Sequence, residues 1–283
     1  IGGTTDVADR PEFAARRTRR QVDGEWVEGW FTEDFTLAEL RTLRARERLP
    51  RLRSTANDGR FAVPTFDEVL ALAAAESERL GRDIGVVPEL KHPSHFAARG
   101  LDMVAALLRS LAGSAFAQRA PLLVQCFEVA PLRALREALP RGGNVRLLQL
   151  IGAPDAAPFD TVLAGAPRAC AQWLAPAGLA ELATFADALG LPAPLLQLVP
   201  GVEGQRSAPV DAAHSAGLAV FVYTFRPENH FLPEALRSDA GPAARNPEGS
   251  VREIRTYLSA GVAGFFTDDP ALGREAVDGP PAP

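Results

Sequence analysis

The stretch IGVVPELKHPSHF, from Ile84 to Phe96, decides the reading of the fold. Five of its first seven residues are apolar, which predicts a buried strand over 84–91. Alternate side chains of a strand share a face, so Val87, Glu89 and Lys91 point one way and Ile84, Val86, Pro88 and Leu90 the other. A buried strand that ends in a carboxylate and an ammonium on one face fits a parallel α/β barrel. There the second set packs on helices, the first lines the interior, and chemistry gathers at the C-terminal strand ends. Pro88 has no N–H to give a ladder, which predicts irregular pairing just before the charged pair. His92 and His95, two of only four histidines, follow at once.

Outward from this strand the chain alternates. PTFDEVLALAAAESERLG begins with a capping box, Thr65 with Glu68, and stops at Gly81. A helix is expected near 97–112, a strand at 121–127, a helix at 128–139 and a strand at 145–151. A helix near 176–189, a strand at 195–199 and a helix at 207–216 ended by Gly217 come next. The last units are a strand at 218–225, a helix at 250–260 and a strand at 263–267. Strands alternating with helices at this spacing imply βαβ units and a parallel sheet. No GxGxxG follows the first strand and no GxxxxGK[ST] occurs, so nucleotide-binding doubly wound folds have no support. Six strands are two short of a closed barrel.

Residues 1–63 differ in character. They carry Arg16-Arg17-Thr18-Arg19-Arg20, then an Asp23-Gly24 turn between two short strands, and a Thr36/Glu39 capping box opening a short helix. The expectation is an excursion of loops, a hairpin and one short helix, with solvated arginines and no core. The chain opens on Ile1 and reads as the continuation of something upstream. At the other end, 274–283 is expected to be a disordered tail, since DGPPAP cannot continue a helix.

Composition excludes some classes. With 283 residues, 47% hydrophobic, the chain can bury a sizeable core, and a net charge of −5 argues against a general nucleic-acid binder. No apolar run suggests a membrane span. Cys126 and Cys170 are the only cysteines; they form no metal-binding spacing and read as buried free thiols, with one disulfide as the alternative.

Polar residues recur at strand ends. Gln125 and Phe127 top the strand at 121–127, Gln149 holds the matching place in 145–151, Tyr223 lies near the top of 218–225, and Thr267, Asp268 and Asp269 end the last strand. Two readings of Glu89 and Lys91 stand side by side: mutual neutralisation within a structural pair, or a charged site in a barrel mouth. The lone glutamines read as structural. His92 and His95 read as surface residues of the following loop, His214 as a cation at a helix C-terminus, and His230 is undecided.

The ordered set TTDVADRPEF, EDFTLAELRTLRARERLP, VPTFDEVLALA, VVPELKHP, LLVQCFE and GFFTDDP resembles the glycerophosphodiester phosphodiesterases. The likeness is closest to their periplasmic or secreted, calcium-using branch and runs to about residue 270. It implies a (β/α)8 TIM barrel that is N-terminally incomplete here, strands one and two being absent. Residues 1–63 would be a cap insertion between strand two and its helix, and 64–273 the barrel core. It also implies hydrolysis of glycerophosphodiesters to glycerol 3-phosphate and an alcohol. Glu89 would be a metal ligand, for calcium first and magnesium second, and Lys91 a catalytic cation beside the phosphate. Gln125, Phe127 and Tyr223 would line the substrate mouth, with the aromatics against the glycerol carbons.

The family's His-Arg-Gly and Glu-x-Asp sequences do not occur in this chain. Without general acid and base each proton transfer loses about 10²–10⁴-fold, so the chain as written is expected to be inactive. The competing expectation is a non-catalytic barrel that binds glycerophosphodiesters or a partner protein. A related phospholipase acting on intact lipids is a third, but no apolar loops suggest it. The resemblance places the protein in the periplasm or outside the cell, with the cytoplasm as the alternative.

Overall fold

The computed structural model describes residues 1–279. They form two compact units, one of Ile1–Val86 and His92–Leu122, the other of Val87–Lys91 and Leu123 onward. The first unit thus takes in the long helix after residue 63 together with the residues before it.

In the first unit, β1 (Thr18–Val22) and β2 (Glu25–Gly29) pair antiparallel. Asp23 and Gly24 both take positive φ between them, as the two-residue turn requires. Helix α1 (Leu37–Leu40) opens on the Thr36/Glu39 capping box and α2 (Phe66–Leu80) on the Thr65/Glu68 box; Gly81, left-handed at φ 64°, ends α2. The helix expected over 97–112 is two: α3 (Pro93–Ala97) and α4 (Met103–Gly113), the latter restarted by the Asp102 side chain, which accepts from Ala105 N–H.

Two expectations for residues 1–63 are corrected. The segment has a core of its own, in which Val7, Phe13 and Leu43 are buried and Ile1, Trp30, Phe35, Leu40 and Val63 pack around them. Nor is the arginine run simply solvated. Arg16 pairs with Glu39 at 2.5 Å, and Arg20 with Glu33 at 3.1 Å and Asp34 at 2.6 Å.

The second unit carries a parallel six-stranded sheet in sequential order: β3 (Glu89–Leu90), β4 (Leu122–Cys126), β5 (Val145–Leu150), β6 (Ala188–Pro192), β7 (Ala219–Phe225) and β8 (Gly264–Thr267). Its helices are α5 (Val129–Ala138), α6 (Phe159–Leu163), α7 (Cys170–Trp173), α8 (Pro176–Phe185), α9 (Ala208–Ser215), α10 (Pro247–Ser259) and α11 (Pro270–Asp278). One face of the sheet buries Leu148, Leu150 and Ala188 with Leu123, Ala219, Phe221, Tyr223 and Phe266 around them. Both cysteines are buried free thiols.

Three boundaries move. The strand over 84–91 shrinks to Glu89–Leu90, because Val86 makes only an isolated bridge and Pro88 lacks an N–H. The strand expected at 195–199 is instead β6, while 193–196 is a short 3-10 turn. Residues 274–278, expected in a disordered tail, are the last turns of α11. The Asp269 carboxylate caps this helix, Pro270 starts it, and Leu272 and Ala276 bury one side of it. Residues 280–283 lie outside the described residues.

Candidate active site

Parallel pairing sets Glu89 beside Gln125 and Leu90 beside Cys126. Leu90 is buried, and Cys126 donates its thiol hydrogen to the Leu90 carbonyl at 3.2 Å. Glu89 and Lys91 meet in an ion pair, Nζ to Oε1 at 2.7 Å, with the lysine side chain 66% exposed and the glutamate 19%. A pair this open carries modest energy.

Gln125 is buried and its Oε1 has no hydrogen-bond partner among the described residues. Gln149, 1% exposed, donates from Nε2 to the carbonyls of Cys126, Phe127 and Leu150 at 2.9–3.1 Å. Phe127 is 40% exposed and meets Tyr223 edge to face, centroids 6.2 Å apart. The Tyr223 hydroxyl donates to the Ile151 carbonyl at 2.6 Å. Burial, and then the nearby Cys170 and Glu89, push that phenol up to about 12, so it stays a donor. Burial likewise raises the Cys126 thiol, which holds it protonated. The five residues named from the sequence, Glu89, Lys91, Gln125, Phe127 and Tyr223, thus all stand in this unit at or just beyond the C-terminal ends of β3, β4 and β7.

Other rim residues serve structure. Asp268 is held by Arg226 at 2.8 Å, and Asp269 by Arg245 at 2.7 Å while it caps α11. In the first unit, His95 is buried, contrary to the surface position expected of it. Its Nε2 lies 2.6 Å from Glu33 Oε1, and that carboxylate gives this ring nitrogen the partner its burial requires. His92 pairs through Nδ1 with Asp23 at 2.7 Å. Nothing local in the sequence signals either pairing, since 62 residues separate Glu33 from His95.

Calcium takes roughly six to eight oxygen ligands and magnesium a near-octahedral set. Glu89 offers one carboxylate, already engaged with Lys91, and among the described residues no group of three or more His, Cys, Asp or Glu side chains could hold a metal. The donor set present does not fit either ion. Among the described residues no helix is long and apolar enough to cross a membrane.

Residues 1–272 match the glycerophosphoryl diester phosphodiesterase family. The chain is 43% identical over 93 residues to the glycerophosphodiester phosphodiesterase GDPD6 of Arabidopsis thaliana, a match covering 33% of this chain and 24% of that protein. It is 24% identical to the glycerophosphodiester phosphodiesterase of Haemophilus influenzae across 99% of this chain and 76% of that one. Two solved structures share its fold: a putative glycerophosphoryl diester phosphodiesterase from Silicibacter pomeroyi (TM-score 0.58, 22% identity, 93% of this chain and 75% of the other), and an Oleispira antarctica phosphodiesterase in complex with the product sn-glycerol-3-phosphate (TM-score 0.54, 17% identity, 93% and 77%). These likenesses and the parallel sheet make the fold an α/β barrel. With the family match spanning nearly its whole length, the chain belongs to the glycerophosphoryl diester phosphodiesterase family.

Proposed function

We propose that this chain provides the phosphate- and glycerol-binding surface of an enzyme that hydrolyses glycerophosphodiesters to glycerol 3-phosphate and an alcohol. The observation that carries this reading is the Glu89–Lys91 pair at the end of β3 in a unit whose neighbouring strand ends present Gln125 and the Phe127–Tyr223 pair. The Oleispira phosphodiesterase, bound to sn-glycerol-3-phosphate, supports the substrate class.

In the reaction, the phosphorus–oxygen bond to the alcohol breaks; water supplies hydroxyl to phosphorus and a proton to the departing alkoxide. The Lys91 ammonium opposes the negative charge that grows on the phosphoryl oxygens. Phe127 and Tyr223 offer ring edges and faces to the glycerol carbons, and the Gln125 amide can bond a glycerol hydroxyl. Glu89 is the residue assigned to the divalent ion, calcium or magnesium, that the family resemblance implies. It supplies one ligand of a set these residues do not complete. The substrate is a small molecule, and the compartment we assign is the periplasm or the cell exterior.

Proton transfer is the part these residues leave unsupplied. His92 and His95 are engaged with Asp23 and Glu33, His214 lies in the last turn of α9, and His230 stacks edge-on against Phe231 at 4.8 Å. This favours a second reading, a non-catalytic barrel that binds glycerophosphodiesters. Glycerophosphocholine hydrolysis, followed by release of glycerol 3-phosphate and choline, separates the two. Turnover that Glu89→Gln abolishes supports the enzyme; full activity in Glu89→Gln removes Glu89 from the site. Tight product binding without turnover supports the binding protein.

A further inference from the structure

The aromatic pair at the sheet's C-terminal end is held from one strand. β4 stops at Cys126, and Phe127 and Glu128 turn the chain into α5. Carbonyls at such a turn lose their ladder partners and need other donors. Gln149 Nε2 supplies them, 3.1 Å from Cys126 O and 2.9 Å from Phe127 O, with Leu150 O at 3.1 Å. A primary amide has two hydrogens, so three carbonyls share them. The alternative amide orientation would set its oxygen against all three carbonyl oxygens. The observed one leaves Gln149 Oε1 buried without a partner among the described residues. The donors are kept in place even though an acceptor goes unpaired.

Two residues further along, the Ile151 carbonyl accepts from the Tyr223 hydroxyl at 2.6 Å. The end of β5 therefore fixes both rings, Phe127 through its backbone and Tyr223 through its hydroxyl. The rings stand at 85° to one another.

We propose that Gln149 is a positioning residue that sets Phe127 against Tyr223 and so shapes the glycerol-facing wall. The proposal rests on the functional reading above. Kinetics with glycerophosphocholine and calorimetric titration with sn-glycerol 3-phosphate would be run on the wild type, Gln149→Leu, Tyr223→Phe and the double variant. A crystal structure of Gln149→Leu accompanies them. Loss of one hydrogen-bonded latch should raise KM, or the product Kd, about five- to tenfold in each single variant, with kcat within about twofold. Because both latches act on one ring pair, the double variant should be no worse than the weaker single. In the crystal, Phe127 should leave the edge of Tyr223.

Multiplying effects, a lowered Tm and kcat at unchanged KM and Kd, or an unmoved ring pair would each overturn the proposal. Where Gln149→Leu does not fold, Gln149→Asn keeps the amide but withdraws it, with the same expectations. If the wild type neither hydrolyses nor binds, the functional reading falls, and the crystal structure alone decides whether Gln149 positions the pair.

Discussion

His95 Nε2 lies 2.6 Å from Glu33 Oε1, and both side chains are almost wholly buried. Arg20 and Arg99 approach the same oxygen at 3.1 and 3.5 Å, so one carboxylate gathers Arg20 from the hairpin together with His95 and Arg99 from the segment around α3. Burial pushes the Glu33 carboxyl up, but a hydrogen bond from its backbone and those from His95 and Arg20 outweigh it and hold it below 4.5. A depressed carboxylate contributes stability that is full above the ordinary value of 4.5 and lost as pH falls through the folded value. His95→Ala should therefore cost about 1–3 kcal/mol at pH 7 and make the acid limb of a urea-melt series shallower. An unchanged acid limb would show that Glu33 draws nothing from the imidazole.

The same pair marks the limit of what sequence makes visible. The Asp23-Gly24 turn, both capping boxes and the alternation at Glu89 and Lys91 were legible, because each depends on residues within one turn or strand. β6 was not. ALGLP carries a glycine and ends in proline, poor credentials for a strand, and its pairing is set by its neighbours. Leu148 and Leu150 pair with Ala188 and Gly190, and a Cβ at Gly190 would meet a Leu150 methyl at 2.6 Å. The glycine that weakens the local signal is what lets the strand fit. The candidate site divides the same way. Its members could be named from strand ends, whereas the Gln149 and Tyr223 latches depend on side chains reaching other strands.

The Glu89–Lys91 pair predicts opposite effects of two substitutions on phosphate binding without added metal. Lys91→Met removes the cation, and Glu89→Gln frees it from its partner. With Lys91 66% exposed, solvent limits either effect to about two- to fivefold. Titration of sn-glycerol 3-phosphate should find Lys91→Met weaker and Glu89→Gln tighter than wild type. Weaker binding in Glu89→Gln would mean that the carboxylate contacts the ligand itself.

Calcium titration of this chain gives a separate expectation. One carboxylate in an ion pair is far from the roughly six to eight oxygens the ion takes, and no group of three acidic, His or Cys side chains among the described residues could hold a metal. Calorimetry with millimolar calcium should show no saturable site, and the Tm should not rise. A calcium-dependent increase of several degrees would require ligands other than these, main-chain carbonyls or the Gln125 and Gln149 amide oxygens being the nearest chemistry.

Glu253 gives the sharpest pH prediction. It lies in α10, is 7% exposed, and burial alone raises its carboxyl from 4.5 to about 7. Tyr257, one turn further on, is pushed up to about 12 by its own burial and then by Glu253. Between the unfolded value and the folded one the native state binds the extra proton. Stability must then fall as pH rises from 4.5 to about 7, and level off above that. At about 1.4 kcal/mol per unit the full loss is of the order of 2–4 kcal/mol. Glu253→Gln keeps the shape without the ionisation. It should match wild type near pH 5, exceed it at pH 8, and lose the downward slope between them in urea melts at successive pH values. A variant less stable than wild type at pH 8 would mean that the carboxylate is ionised and paired in the native protein.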